Sequence, residues 1–162
     1  MVQEIIDTLA TAAARLEESA YPNSVILPHF TRSIQLDGYS CGAKSVYTIL
    51  RYYNKRCAPL SVENELRTTW EGTAISHIKR VLKKHGLKYR KIRVLKGAID
   101  EGRPVLISTH KWFHYSVVYG YSDSHYFVMN PSLGKMGSWT CAVRKKNFKH
   151  MWDEWALEVS PG

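Results

Sequence analysis

The chain is poor in cysteine and has none at metal-binding spacing. Cys41, Cys57 and Cys141 are scattered over 162 residues with no CxxC pair. An odd, sparse set is no disulfide framework, and it lacks the ligand pattern of a zinc ribbon or finger. Reduced thiols in a cytoplasmic setting are the expectation. Also missing is any uncharged apolar run near the roughly 18 residues that a membrane span requires. The first twenty residues carry Glu4 and Asp7 and no continuous apolar core, so no secretion signal is expected. Acid is absent from Lys79 to Lys96, a stretch that holds nine Lys or Arg and by itself equals the net charge of +9.

What is present is globular. The chain is 44% hydrophobic and 12% aromatic, which excludes wholesale disorder. A chain of this length is expected to be one domain, with about 70% of its unfolded surface buried without staples. The basic stretch Lys79–Lys96 suits an acidic partner, or else is a solvated face whose lysines discourage edge pairing. Nucleic acid is not the favoured partner, because basic charge alone specifies little.

The apolar spacing predicts a helix over residues 3–19, with Ile5, Leu9, Ala13 and Leu16 on its buried face. A second helix is expected over 41–54, capped by Ser40 and apolar on most sides. Shorter helices are expected near 61–67 and over 74–85. Thr73 is the expected cap of the latter and Gly86 its stop. Residues 88–94, 104–109, 114–121, 125–129 and 138–144 are rich in β-branched and aromatic residues between turn signals. Helices first and strands afterwards indicate an α+β fold with an antiparallel sheet.

Cys41 opens the second helix and is backed by Gly42. Unpaired N–H groups and the helix dipole favour a thiolate there, so a lowered thiol pKa is expected. A thiolate nucleophile needs a base. Of seven histidines, His77 and His85 are expected to be exposed on the basic helix, and His125 sits at a turn. His110 and His114 share a parity at the mouth of one strand, but a loop-and-strand HxxxH is a poor metal site, so no metal or cofactor is expected. If the hairpin after His114 turns near Asp123, facing residue numbers sum to about 246. His114 then lies beside Asn130–Ser132, and Asn130 can orient its ring. Gln35 could donate to an oxyanion together with the Cys41 N–H.

These residues resemble the motifs of the bacteriocin-processing, double-glycine leader peptidases. That family comprises papain-like cysteine peptidases, best known as the N-terminal domain of peptide-exporting ABC transporters. Gln35 and Cys41-Gly42 match its opening motif, His114 in HYSVVYGY its strand histidine, and Asn130-Pro131 its third position. The likeness spans roughly residues 30–135, with 1–29 as an added helix and loop. It implies a papain-like fold, with a helical half that carries Cys41 packed on an antiparallel sheet that carries His114 and Asn130. It also implies peptide or protein substrates cleaved through a thioester. The exporter domains usually carry Asp where this chain has Asn130, and no membrane or ATPase domain follows, so a free-standing domain is expected. An acyl transferase or deamidase would use the same four residues. A catalytically silent binding module would instead work through the basic stretch.

Overall fold

A computed structural model describes residues 2–133 and 139–162. Helix α1 (Val2–Glu18) leads through β1 (Val25–Ile26) and a strap to α2 (Cys41–Tyr52), α3 (Pro59–Glu65) and α4 (Ile75–Lys84). Then follow β2 (Leu87–Ile92), α5 (Leu95–Asp100), β3 (Val105–Thr109), β4 (His114–Tyr121), β5 (His125–Met129) and β6 (Ala142–Arg144). The chain ends with α6 (Lys145–Met151) and β7 (Trp152–Pro161). The sheet order is β2-β7-β3-β4-β5-β6, with β1 added to β4, and every pairing is antiparallel. The fold is α+β, as the change from helical to alternating sequence predicts.

The β4–β5 hairpin has the expected register. Val117 faces Met129 and Val118 faces Val128, each pair summing to 246, before an irregularity shifts the outer pairs by one. Nine of the twelve α2 residues are buried, so the broadly apolar helix is central, packed against β4. Gly86 ends α4 with φ +77°, a left-handed conformation that favours glycine.

Several local expectations are corrected. Ser40 occupies the α2 N-cap, but its buried hydroxyl makes no capping bond. Asp37, three residues earlier, instead fixes the turn that leads into the helix, accepting the Tyr39 and Ser40 N–H groups at 2.9 and 2.8 Å. Thr73 does not cap α4; its hydroxyl pairs with Thr68 at 2.7 Å, and Ala74 takes the cap position. In α1 the helix forms, but Ile5, Leu9 and Leu16 are exposed and Ala10 and Ala14 are buried. The reason is that α1 docks through polar groups. Asp7 accepts from Ser33 Oγ and Ile34 N–H, each at 2.8 Å, and Gln3 donates to the Ile34 carbonyl at 2.7 Å. β6 starts at Ala142; residues 134–138, and so the start of the expected strand 138–144, lie outside the described residues.

The sequence pattern did not reveal α5, α6 or the two-residue β1. It also missed β7, which lies between the edge strand β2 and β3. β7 contains Glu158, a charge in what would otherwise read as a buried run. The fold neutralises it with Arg90 at 2.8 Å and Arg103 at 3.1 Å.

Candidate active site

Three chain segments converge at one end of the sheet. The strap before α2 brings Gln35, whose N–H donates to the Pro131 carbonyl at 2.8 Å. The start of β4 brings His114, and the segment after β5 brings Asn130. His114 Nε2 lies 2.6 Å from Asn130 Oδ1. The same oxygen accepts the Ser132 N–H at 2.9 Å. A backbone N–H can bond only to the amide oxygen, so Ser132 decides which end of Asn130 faces the ring. The ring must then donate from Nε2, which leaves Nδ1 as the proton acceptor. Among the described residues none hydrogen-bonds to Nδ1.

Cys41 is 8% exposed, and the backbone N–H of Tyr115 is among the groups that favour its thiolate. That N–H belongs to the peptide bond joining His114 to Tyr115, which places the Cys41 thiol near the start of β4. Gly42 makes this approach possible. A Cβ there would stand 3.1 Å from Thr73 and 3.2 Å from the Tyr115 ring, tighter than ordinary contact.

The electrostatics differ from the expected thiolate. Burial pushes the Cys41 thiol above its ordinary value, and the N–H groups of Tyr115, Gly42 and Cys41 itself only oppose it. Burial also pushes His114 below its ordinary value, against the raising effect of the Asn130 bond, and His110 nearby lowers it further. The helix N-terminus was expected to win; in a site this dry, desolvation wins. The resting pair is therefore neutral thiol and neutral imidazole, a state from which His114 can act as a base.

Gln35 Nε2 donates to the Asp37 carbonyl at 2.8 Å. A side-chain amide has two N–H groups, so one remains for an oxyanion. Gln35 Oε1 is buried and has no hydrogen-bond partner among the described residues, and a reversed amide would set it against the Asp37 carbonyl.

Three other histidines have hydrogen-bond partners of their own. His77 bonds the Leu66 carbonyl at 3.0 Å and His85 bonds Glu65 at 2.8 Å; both are half-buried rather than exposed. His110 lies beside His114, with ring centres 6.3 Å apart, and bonds Thr109. No group of three metal-binding side chains occurs among the described residues.

Arg32 is a supporting residue that the sequence did not suggest. It is 2% exposed, and its guanidinium donates to the Asn130 carbonyl at 3.1 and 2.9 Å and to the Trp139 carbonyl at 2.9 Å. It stands 98 positions from Asn130, and nothing in its neighbours marks it. Tyr115 was likewise read only as a strand residue.

The model of the Peptidase C39 family matches residues 30–162. The chain belongs to the Peptidase C39 family. It is a cysteine peptidase, in keeping with the double-glycine leader peptidase motifs in its sequence. A search of curated proteins returned no match. Among solved structures, this C39 chain is similar to a double-glycine-motif protease from an AMS/PCAT transporter, crystallised with the leader peptide. Identity is 17%, coverage is 88% of this chain and 96% of that one, and the TM-score is 0.69. It is similar also to the peptidase domain of Streptococcus ComA, a bifunctional ABC transporter involved in quorum sensing. There identity is 21%, coverage is 83% and 100%, and the TM-score is 0.67. A C39-like peptidase structure from Bacillus anthracis is 16% identical, with coverage of 86% and 98% and a TM-score of 0.68. At these identities the likeness is one of fold. Helix α1 precedes the C39 match entirely, yet it pins the strap that carries Gln35.

Proposed function

We propose that Cys41, His114, Asn130 and Gln35 are the working residues of this C39 peptidase, acting on a peptide or protein substrate. The observation that carries this is the His114–Asn130 bond, and the Tyr115 N–H, next to His114 in the chain, favours the Cys41 thiolate. In the proposed reaction His114 Nδ1 takes the Cys41 proton as the sulfur attacks the scissile carbonyl carbon. The resulting oxyanion is held by the Cys41 N–H and the free N–H of Gln35. The C–N bond then breaks, and the imidazolium proton goes to the leaving amine. A water molecule gives a proton to His114 and attacks the thioester, which releases the carboxylic acid and restores the thiol. Asn130 keeps the ring in the tautomer that this sequence of steps needs.

A cytoplasmic setting fits three free thiols, and no helix among the described residues is long and apolar enough to cross a membrane. The basic face is proposed to receive an acidic peptide. Lys83, Lys84, Lys88, Arg90, Lys91 and Arg93 are exposed around β2, an edge strand of the sheet.

The test uses a peptide containing a Gly-Gly pair, incubated with the protein and read by mass spectrometry. Cleavage that Cys41→Ala and His114→Ala abolish is the expected result. Adding a competing amine separates hydrolysis from acyl transfer: an amide product would identify a transferase. Cleavage that survives Cys41→Ala would overturn the assignment.

A further inference from the structure

The loop between β3 and β4 delivers His114. Thr109 pairs with His114 across it, so residues 110–113 form a four-residue hairpin connection. Three successive residues in it, His110, Lys111 and Trp112, have φ of 56°, 58° and 70°. None is glycine, and each pays a steric penalty in this left-handed region. Such a run persists only where its surroundings impose it.

The imposing group is Asp153, the second residue of β7. Its Oδ1 accepts the Lys111 N–H at 2.9 Å and its Oδ2 accepts the Trp112 N–H at 2.8 Å. Consecutive N–H groups turned to one side make an anion-binding concavity, and here a side-chain carboxylate fills it. Two further contacts close the loop onto the end of α6 and onto β7. The His110 N–H donates to the Met151 carbonyl at 2.9 Å, and the Trp112 ring lies 5.3 Å from the Trp155 ring. Trp155 in turn stands 6.3 Å from Tyr115, whose N–H favours the Cys41 thiolate.

We propose that Asp153 is a positioning residue for the reaction, holding residues 110–112 in their left-handed path so that His114 enters β4 with its ring set between Cys41 and Asn130. The role rests on the reading of His114 as the base. Asp153 touches neither substrate nor thiol. It acts through the backbone of the loop, from an element some forty positions away in the chain.

The experiment measures the rate at which iodoacetamide alkylates Cys41 in the folded full-length chain at about neutral pH, with labelled sites mapped by mass spectrometry. His114→Ala serves as the reference. In the wild type the thiol proton can pass to His114, and both His114→Ala and Asp153→Ala are expected to slow Cys41 labelling roughly tenfold or more. Cys57 labelling should not change. Asp153→Asn keeps the shape but only one acceptor oxygen, so its rate should fall between the two; it also serves if Asp153→Ala folds poorly. The decisive variant is Asp153→Ala with Lys111→Gly. Glycine adopts the left-handed conformation without the carboxylate, so labelling should recover toward the wild type. A residue with only a structural role would lower the melting temperature and leave Cys41 labelling unchanged. That result, with His114→Ala slow, would overturn the proposal. If His114→Ala labels as fast as the wild type, the base assignment itself fails and the Asp153 role fails with it. Slow Asp153→Ala with no recovery by Lys111→Gly would likewise overturn the loop argument.

Discussion

His114 and Asn130 meet through one oxygen that a third group has already oriented. Asn130 Oδ1 accepts the Ser132 N–H at 2.9 Å and faces His114 Nε2 at 2.6 Å. An Asn can therefore do here what an Asp does by charge, provided its amide cannot turn.

Asn130→Ala should lower kcat about 10- to 100-fold, since the ring loses its guide but not its chemistry. Asn130→Asp should retain activity and raise the His114 pKa, because a carboxylate favours the imidazolium. The acid limb of the pH–rate profile would move to higher pH. An unchanged limb in Asn130→Asp would argue that Asn130 does not contact the ring in solution.

The neutral resting pair has a consequence for stability. The His114 pKa is lowered from 6.5 by burial, so below that value the unfolded chain takes up a proton that the folded chain refuses. Stability is fully present above 6.5 and should fall as pH drops from there toward the lowered folded value. His114→Gln should flatten that part of the curve in chemical denaturation followed against pH. A wild-type curve that rises as pH falls through this window would contradict a buried neutral imidazole.

Arg32→Ala leaves the Asn130 and Trp139 carbonyls without the buried donors they have now. Removing one partner of such a group costs about 3 kcal/mol. Arg32→Lys should recover little, because an ammonium cannot offer the same two-pronged contact to the Asn130 carbonyl. Urea unfolding measures both losses.

Asp7 holds Ser33 and Ile34, next to Gln35. Asp7→Ala should cost about 2 kcal/mol, as one carboxylate that accepts from Gln3, Ser33 and Ile34 is removed. It should also lower kcat more than it raises KM, since a loosened strap affects the oxyanion more than substrate binding. A kcat unaffected in the folded variant would confine α1 to stability.

Lys83→Glu with Lys84→Glu changes exposed side chains, and the Lys84–Glu65 pair at 3.5 Å is a surface one. Stability should shift by no more than about 1 kcal/mol. Retention on immobilised poly-glutamate should drop, and in the wild type it should weaken steeply with salt. Equal retention of both proteins would leave these lysines as a solvated face that guards the β2 edge.

Where periodicity is local, sequence alone determined the outcome. The hairpin register follows from strand parity and one turn, which is why the sequence alone sets Asn130 beside His114. The Cys41 helix, the Gly86 stop and the antiparallel sheet were legible for the same reason: each depends on residues within a few positions. Tertiary structure decided the rest. β7 places Glu158 in the sheet because Arg90 and Arg103, far off in the chain, neutralise it there. The apolar stripe of α1 points outward because Asp7 and Gln3 find backbone partners in the strap. The sign of the Cys41 shift was misjudged from the helix N-terminus, a local feature, because burial is a property of the whole cleft. Arg32 and Asp153 carry no sequence signal at all. What makes them matter is a carbonyl 98 positions away for one and a pair of N–H groups about 40 positions away for the other, and only folding brings such groups within hydrogen-bond reach.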